Sequence, residues 1–437
     1  MEPAMTAFPR LPHRVRRKIR AAVAGLLIAV LFWAVMLALL PYRRELRRDV
    51  PHMTRARDPQ FARDMAGLYG SPIIGGNQIT SLLNGDAIFP AMLRDIAKAQ
   101  RSITFETYIY WSGQTAEAFC DALVARAQAG VAVKVLIDWV GGLPMHDDLI
   151  DRMHEGGVMV RMFRPMRPRT LTRLNNRTHR KVLVVDGRIG YTGGVGIADT
   201  WLGDARSPEE WRDTHYRVQG PVVAMLQNAF ANNWVEASGE VLRGADFYPV
   251  LDPVGTLDVQ MIKSNTGSRN EVHLMLMTAL AAATRSIRIS TPYFVPDRVA
   301  IDQLLAARAR GVEITLLVAG AKTDSRMVRH VSRRCWEELL AAGVRILEYQ
   351  PTFLHAKMII IDDLWTSIGS ANFDERSFRL NDEANLNVYS TAFAEEQAII
   401  FEADCVRARV VTQSDLRRMS WWDQLQGMVM SLLRPHL

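Results

Sequence analysis

Two stretches of the chain carry the same reactive side chains at the same spacing. His179, Lys181 and Asp186 read HxKxxxxD, and His355, Lys357 and Asp362 repeat the pattern. Each set lies in a β-branched run and is expected on a buried strand, where residues two apart share a face and His projects with Lys. The aspartates fall at the opposite parity, near the strand end, and parity assigns them to the following turn. An imidazole can serve as nucleophile or acid/base near neutral pH. An ammonium beside it can stabilise charge on phosphoryl oxygens. Two copies meet both demands of a two-step displacement at phosphorus, in which one His attacks and the other protonates the leaving oxygen. A single HxK on a strand is ordinary core; two at matched positions of a repeat are not.

Downstream residues extend the set. Gly369-Ser370-Ala371-Asn372 follows His355, and Glu383 lies twenty-eight residues beyond it. A hydroxyl and a carboxamide can donate to phosphate, and a glutamate can hold an imidazole N–H and fix its tautomer. The first half has Gly193-Gly194-Val195-Gly196 at the matching place. Without those side chains, its backbone N–H groups are what remains to face an anion. Asp213 is the candidate carboxylate partner within the first half.

The elements that must position these groups are duplicated. The stretch 99–110 (AQRSITFETYIY) recurs as 283–294 (ATRSIRISTPYF), ARAQAGVAVKVLI as ARARGVEITLLV, and HRKVLVVDGRIGYTGG as HAKMIIIDDLWTSIGS, at offsets of 184, 181 and 176 residues. That period is too long for a solenoid repeat and implies two homologous domains about a pseudo-two-fold axis. Within each half a buried strand (102–110; 287–294) leads to an amphipathic helix (116–129; 300–310), a glycine and a second strand (131–138; 313–318). The fold class is therefore α/β, with layered α-β-α halves. Residues 70–248 and 256–410 are the expected domains, joined through the Gly/Pro/Asp-punctuated stretch 240–256.

Residues 1–20 are basic, and 21–41 form an uncharged apolar run. Twenty helical residues span ~30 Å, the thickness of a bilayer core, so a single transmembrane anchor is expected, followed by a linker over 42–69. A cleaved signal peptide fits less well, because the run is long and no A-x-A site follows it. Six basic residues on either side give the positive-inside rule nothing to weigh. The net charge of +7 favours anionic partners. The segment 161–181 holds eight basic residues and no acid, and is expected to meet anionic headgroups or phosphates. Residues 411–437 form an amphipathic tail with Trp421 and Trp422. It suits docking on the protein's own surface or lying in the membrane interface. Three sparse cysteines offer no disulfide framework, and no metal motif occurs.

At HRKVLVVDG with TGG, WRDTH with GP, YFVPD, and HAKMIIID with GSANFDERSFRLNDE, the chain resembles the phospholipase D superfamily, and within it the bacterial cardiolipin synthases with two such motifs. The resemblance covers roughly residues 70 to 409. It implies two α-β-α lobes with the site at their interface, a phosphohistidine intermediate, and no metal or organic cofactor. It counts His179, Lys181, Asp186, His355, Lys357 and Asp362 as the catalytic motif. Ser370 and Asn372 are its phosphate-binding residues, and Glu383 and Asp213 its histidine-orienting acids. Gly196 departs from the Asn of many members. The implied substrate is an anionic phospholipid, phosphatidylglycerol, at a bacterial inner membrane, with no nucleic-acid partner, because a nuclease of this fold needs no span. The oligomeric state is not read from the sequence.

Overall fold

The computed structural model describes residues 23–29, 53–167, 173–265 and 270–417. Residues 23–29 are helical. The rest of the apolar run, and the tail with Trp421 and Trp422, lie outside the described residues. Among those described, no helix is long and apolar enough to cross a membrane.

The first half contributes β1 (Ile73–Leu83), β2 (Ser102–Thr107), β3 (Ala132–Asp138), β4 (Met159–Phe163), β5 (Val182–Val185), β6 (Ile189–Gly193) and β7 (Thr214–Gln219). The second contributes β8 (Leu257–Lys263), β9 (Ser286–Thr291), β10 (Glu313–Ala319), β11 (Arg345–Tyr349), β12 (Met358–Ile361), β13 (Trp365–Gly369), β14 (Ala384–Tyr389) and β15 (Ala408–Val410). Among the described residues these fifteen form one sheet, in the order β15-β11-β10-β9-β12-β13-β14-β8-β1-β7-β6-β5-β2-β3-β4. Each first-half strand thus has a counterpart seven places on in the numbering. The pseudo-two-fold axis runs between β1 and β8, which pair antiparallel through Ile73 with Gln260 and Ile74 with Val259. The two halves of the duplication share a single backbone hydrogen-bond network.

Alternation places the core. Leu183 and Val185 of β5 face the first half's own core, and Ile359 and Ile361 of β12 face the second's. Val182, Val184, Met358 and Ile360 point to the other face. There they join Leu226 of helix Val223–Ser238 and Phe401 of helix Thr391–Val406 in one core common to both halves. Each such side chain contributes about 1.5–3 kcal/mol relative to exposure. Parallel β2–β3 and β9–β10 need crossover connections. Helices Gln114–Gln128 and Arg298–Ala309 supply them. The three cysteines are buried and unbridged. No helix or strand lies between Ser238 and Leu257.

Two expectations change. The His/Lys pairs lie on extended segments just before β5 and β12, not within the strands. Asp186 and Asp362 sit at the far ends of those strands with φ of 52° and 55°. Asp186 accepts from the amides of Gln100, Arg101 and Ser102. Asp362 accepts from those of Thr284, Arg285 and Ser286. They clamp the starts of β2 and β9 and do not reach the histidines, which corrects their inclusion among the catalytic residues.

Candidate active site

The segments before β5 and β12 each leave their own half and run beside the other. Thr178 bridges to Asp382, and Arg212 bridges to Leu354. His179 N donates to Asp382 O at 2.9 Å, and His355 N donates to Arg212 O at 2.7 Å. Both histidines are thereby brought onto the axis by the same backbone device.

The carboxylates follow this crossing. His179 Nδ1 lies 2.9 and 3.1 Å from the two oxygens of Glu383, in the second half. His355 Nδ1 lies 2.7 Å from Asp213 Oδ2, in the first half. Sequence order had placed Asp213 with the histidine of its own half; the structure exchanges the partners. The reason is geometric: Asp213 and Glu383 precede β7 and β14, which flank the central β1–β8 pair, and so reach across the axis. With Nδ1 donating to a carboxylate, Nε2 is the nitrogen left to react on each ring; that of His355 lies 3.1 Å from Lys357 Nζ.

Burial pushes His179 down to about 4 and His355 down to about 3, so both rings rest neutral. Burial would raise Glu383, but His179, Lys181 and the Ser370 hydroxyl hold it at about 2. Asp213, equally buried, is kept below the usual carboxylate range by His355 and Lys357. Burial also lowers Lys181 to about 7 and Lys357 to about 8. Lys181 Nζ bonds the carbonyl of His179 at 2.9 Å. Lys357 Nζ lies 3.1 Å from each ring nitrogen of His355.

The two acids are braced differently. Ser370 Oγ donates to Glu383 Oε2 at 2.5 Å and Ser377 Oγ to Oε1 at 2.8 Å. Ser370, expected on phosphate, therefore holds the orienting acid. Asp213 accepts from the Trp201 indole at 2.9 Å and from the Thr214 amide at 2.8 Å. Gly194, the counterpart of Ser370, has no room for a side chain: a Cβ there would stand 2.2 Å from Asp213 Oδ1. At Gly196, opposite Asn372, a Cβ would stand 2.8 Å from Ile109 Cβ. The amide of Gly194 is spent on Thr214 O, and Gly193 belongs to β6 beside His215. Gly194 admits Asp213 to close approach, Gly193 admits His215 and Gly196 admits Ile109, and the Gly194 amide is not available to an anion.

His179, Lys181, His355 and Asn372 line a cavity of about 320 Å³ together with Tyr108, Trp211, Tyr293 and Asp324. The side-chain carbonyl of Asn372 has no hydrogen-bond partner. Aromatic rings enclose His355: Trp201 at 5.4 Å, Phe353 at 5.5 Å and Trp211 at 5.6 Å between centroids. Tyr108 stands edge-on to His179 at 5.4 Å. Trp211 and Tyr293 stand inside motifs quoted above, yet their residue types gave no sign of a place at the site. Trp201 and Asp324 stand in none.

The basic segment 161–181 divides. Arg177 is buried on Asp138 at 3.3 Å, and Arg164 on Glu236 at 2.7 Å. Arg180 is fully buried on the carbonyls of Ala229 and Ser264, each at 2.7 Å. These three tie loops together. Of the described basic residues in the segment, Arg161, Arg167 and Arg173 are exposed, and Lys181 lines the cavity.

The family described as "Cardiolipin synthase, PLD-like domain" matches at residues 92–206 and 276–405. Cardiolipin synthase A of Pseudomonas fluorescens Pf-5 is 36% identical over 380 residues, which are 86% of this chain and 78% of the relative. The major cardiolipin synthase ClsA of Bacillus subtilis 168 is 33% identical over 365 residues, 83% of this chain and 76% of the relative. The phosphatidylserine synthase of Haemophilus influenzae Rd KW20 shares the fold. Its TM-score is 0.68 at 14% identity, over 86% of this chain and all of that one. Two family segments on a duplicated sheet, with relatives matched over most of their length, place this chain in the cardiolipin synthase family of phospholipase D-like enzymes.

Proposed function

We propose that this chain is a membrane-anchored phosphatidyltransferase that joins two phosphatidylglycerol molecules into cardiolipin and releases glycerol. The observation that carries the reading is the pair of buried imidazole–carboxylate couples, exchanged between halves, that open onto one cavity with Lys181. The anchor is the apolar run 21–41. Its described helical part exposes Leu26, Leu27 and Ile28, which suits a lipid environment. The catalytic halves are residues 70–248 and 256–410.

His179, Lys181, His355, Lys357 and Asn372 act on the phosphodiester, and Glu383, Asp213 and Ser370 position the rings. A neutral imidazole is a nucleophile, so the low proton affinity of both rings readies either for attack. The entering phosphodiester is an anion and raises the proton affinity of the rings beside it. One ring is thereby loaded as imidazolium. The other attacks through Nε2: an N–P bond forms, the P–O bond to glycerol breaks, and the imidazolium gives its proton to the departing glycerol oxygen. A second phosphatidylglycerol then yields its hydroxyl proton to that neutral ring and attacks phosphorus. The N–P bond breaks, and cardiolipin is formed. The lysines stabilise charge on the phosphoryl oxygens throughout. The number of phosphodiester bonds is unchanged, so added glycerol drives the reaction backwards.

Purified full-length protein incubated with phosphatidylglycerol vesicles should give cardiolipin and glycerol by mass spectrometry, with phosphatidic acid minor. Phosphatidic acid as the main product would replace this reading with a phospholipase.

A further inference from the structure

Apart from its catalytic histidines, the cavity has two unlike walls. Tyr293 and Asp324 stand on the second-half side, and the Tyr293 hydroxyl donates to Asp324 Oδ2 at 2.5 Å. At the positions related by the repeat offsets of 184 and 181, the first half has Ile109 and Leu143. Ile109 lines the same cavity. The first-half side thus presents Ile109 beside Tyr108 and no acid at these positions, and the other side carries a carboxylate bonded to a phenol. Asp324 lies close enough to Lys357 for their charges to act on each other.

A carboxylate is out of place in a cavity built only for phosphate, where it repels the anion. It suits a neutral polyol. The phenolic hydrogen is already given to Asp324, so the phenol oxygen and the carboxylate stand side by side as two acceptors. Two adjacent hydroxyl donors match that pair, whereas a phosphate meets two acceptors on it and finds its donors elsewhere in the cavity, at Lys181, Asn372 and Arg376. Building on the transferase reading, we infer that Tyr293 and Asp324 recognise the vicinal hydroxyls of the glycerol headgroup. They hold the donor's headgroup while its ester oxygen leaves, and in the reverse direction they hold free glycerol, whose third hydroxyl attacks the phosphohistidine, in preference to a simple alcohol.

A competition assay tests this. Full-length enzyme in detergent–phosphatidylglycerol micelles is given deuterated glycerol and propan-1-ol at equal concentration. Deuterated phosphatidylglycerol and phosphatidylpropanol are then counted by mass spectrometry. The expected result is a preference for glycerol of about tenfold, the scale of one hydrogen bond to a charged group. Asp324→Asn and Tyr293→Phe should each cut that ratio to within about threefold. Equal use of the two alcohols by the unaltered enzyme overturns the inference, as does a full preference retained in Asp324→Asn. If a variant does not fold, the ratio of the unaltered enzyme decides alone. Cardiolipin counted in the same sample separates the two ideas. Its presence without glycerol preference sinks only the diol wall. Phosphatidic acid in its place sinks the transferase reading as well.

Discussion

The two halves reach the same couple by different means. Around His179 a long acid, Glu383, is held by two hydroxyls, Ser370 and Ser377. Around His355 a short acid, Asp213, is held by an indole and a backbone amide. One methylene fewer brings the Asp213 carboxylate against the turn at Gly194, where the second half affords a serine. The surroundings differ too: three aromatic rings enclose His355, while Tyr108 alone stands edge-on to His179. The couple is what the chemistry constrains, and its support varies as long as the imidazole rests neutral against an ionised acid.

The widest test of the comparison is to remove either ring. His179→Ala and His355→Ala should each lower turnover by roughly 10³-fold or more, since each supplies a role the other cannot fill at the same moment. Circular dichroism should show both folded. Near-normal turnover in either would end the shared-site reading.

A contrast in stability comes next. Arg177 and Phe353 occupy matching positions, two residues before their histidines. Arg177 pairs with buried Asp138, whereas Phe353 packs on Trp211 at 4.7 Å between centroids. Arg177→Ala strands a buried carboxylate and should cost about 3–5 kcal/mol in denaturant unfolding. Exposed Arg173→Ala should cost under about 0.5 kcal/mol.

Within the acid supports, Gly194→Ala should do more harm than Ser370→Ala. The added methyl must displace Asp213, while Glu383 without Ser370 keeps Ser377 and its ionic neighbours. We expect a loss of about 10²-fold in kcat/KM for the first and about tenfold for the second. The reverse order would mean that Ser370 touches the substrate.

The smallest effect is the pH profile. Lys181 and Lys357 lose their charge as pH rises through about 7 and about 8. In the free enzyme kcat/KM already declines above about pH 4, because one ring must take up a proton as the phosphodiester enters, and it should steepen in that window by about a further tenfold per unit for each lysine that loses its charge. Both imidazoles stay neutral down to about 4, so no acid limb should appear above that. A bell centred near pH 6.5 would show the rings titrating as though exposed.

Much of this was legible in the sequence because it is local. The duplication, the strand–helix–strand order and the four His and Lys side chains follow from spacing and alternation. Glu383 and Asp213 could be named as acids, but sequence order gives Asp213 to the ring of its own half, and the structure gives it to His355. That assignment depends on the crossing of two segments through the Thr178–Asp382 and Arg212–Leu354 bridges, which no local pattern encodes. For the same reason, Arg164, Arg177 and Arg180 read as part of a basic run that meets anionic headgroups or phosphates. The partners that bury them, Asp138, Glu236, Ala229 and Ser264, lie 39 to 84 residues away. Tyr293 and Asp324, thirty-one residues apart, became a pair only through the fold.

The exchange of acids bears on how such a chain is free to change. One half alone holds a histidine without its carboxylate and a carboxylate without its histidine. Two identical copies of that half, docked about the same axis, would restore both couples, each copy completing the other. In such an assembly every substitution appears twice, so a residue useful beside one ring is imposed on the other. Joining the copies in one polypeptide lifts that constraint. Ser370 can face Glu383 while Gly194 yields to Asp213, and Asp324 can line one wall while Leu143 holds the matching place. Covalent linkage thus converts a symmetric reaction centre into one with distinguishable sides, one of which can serve a donor and the other an acceptor.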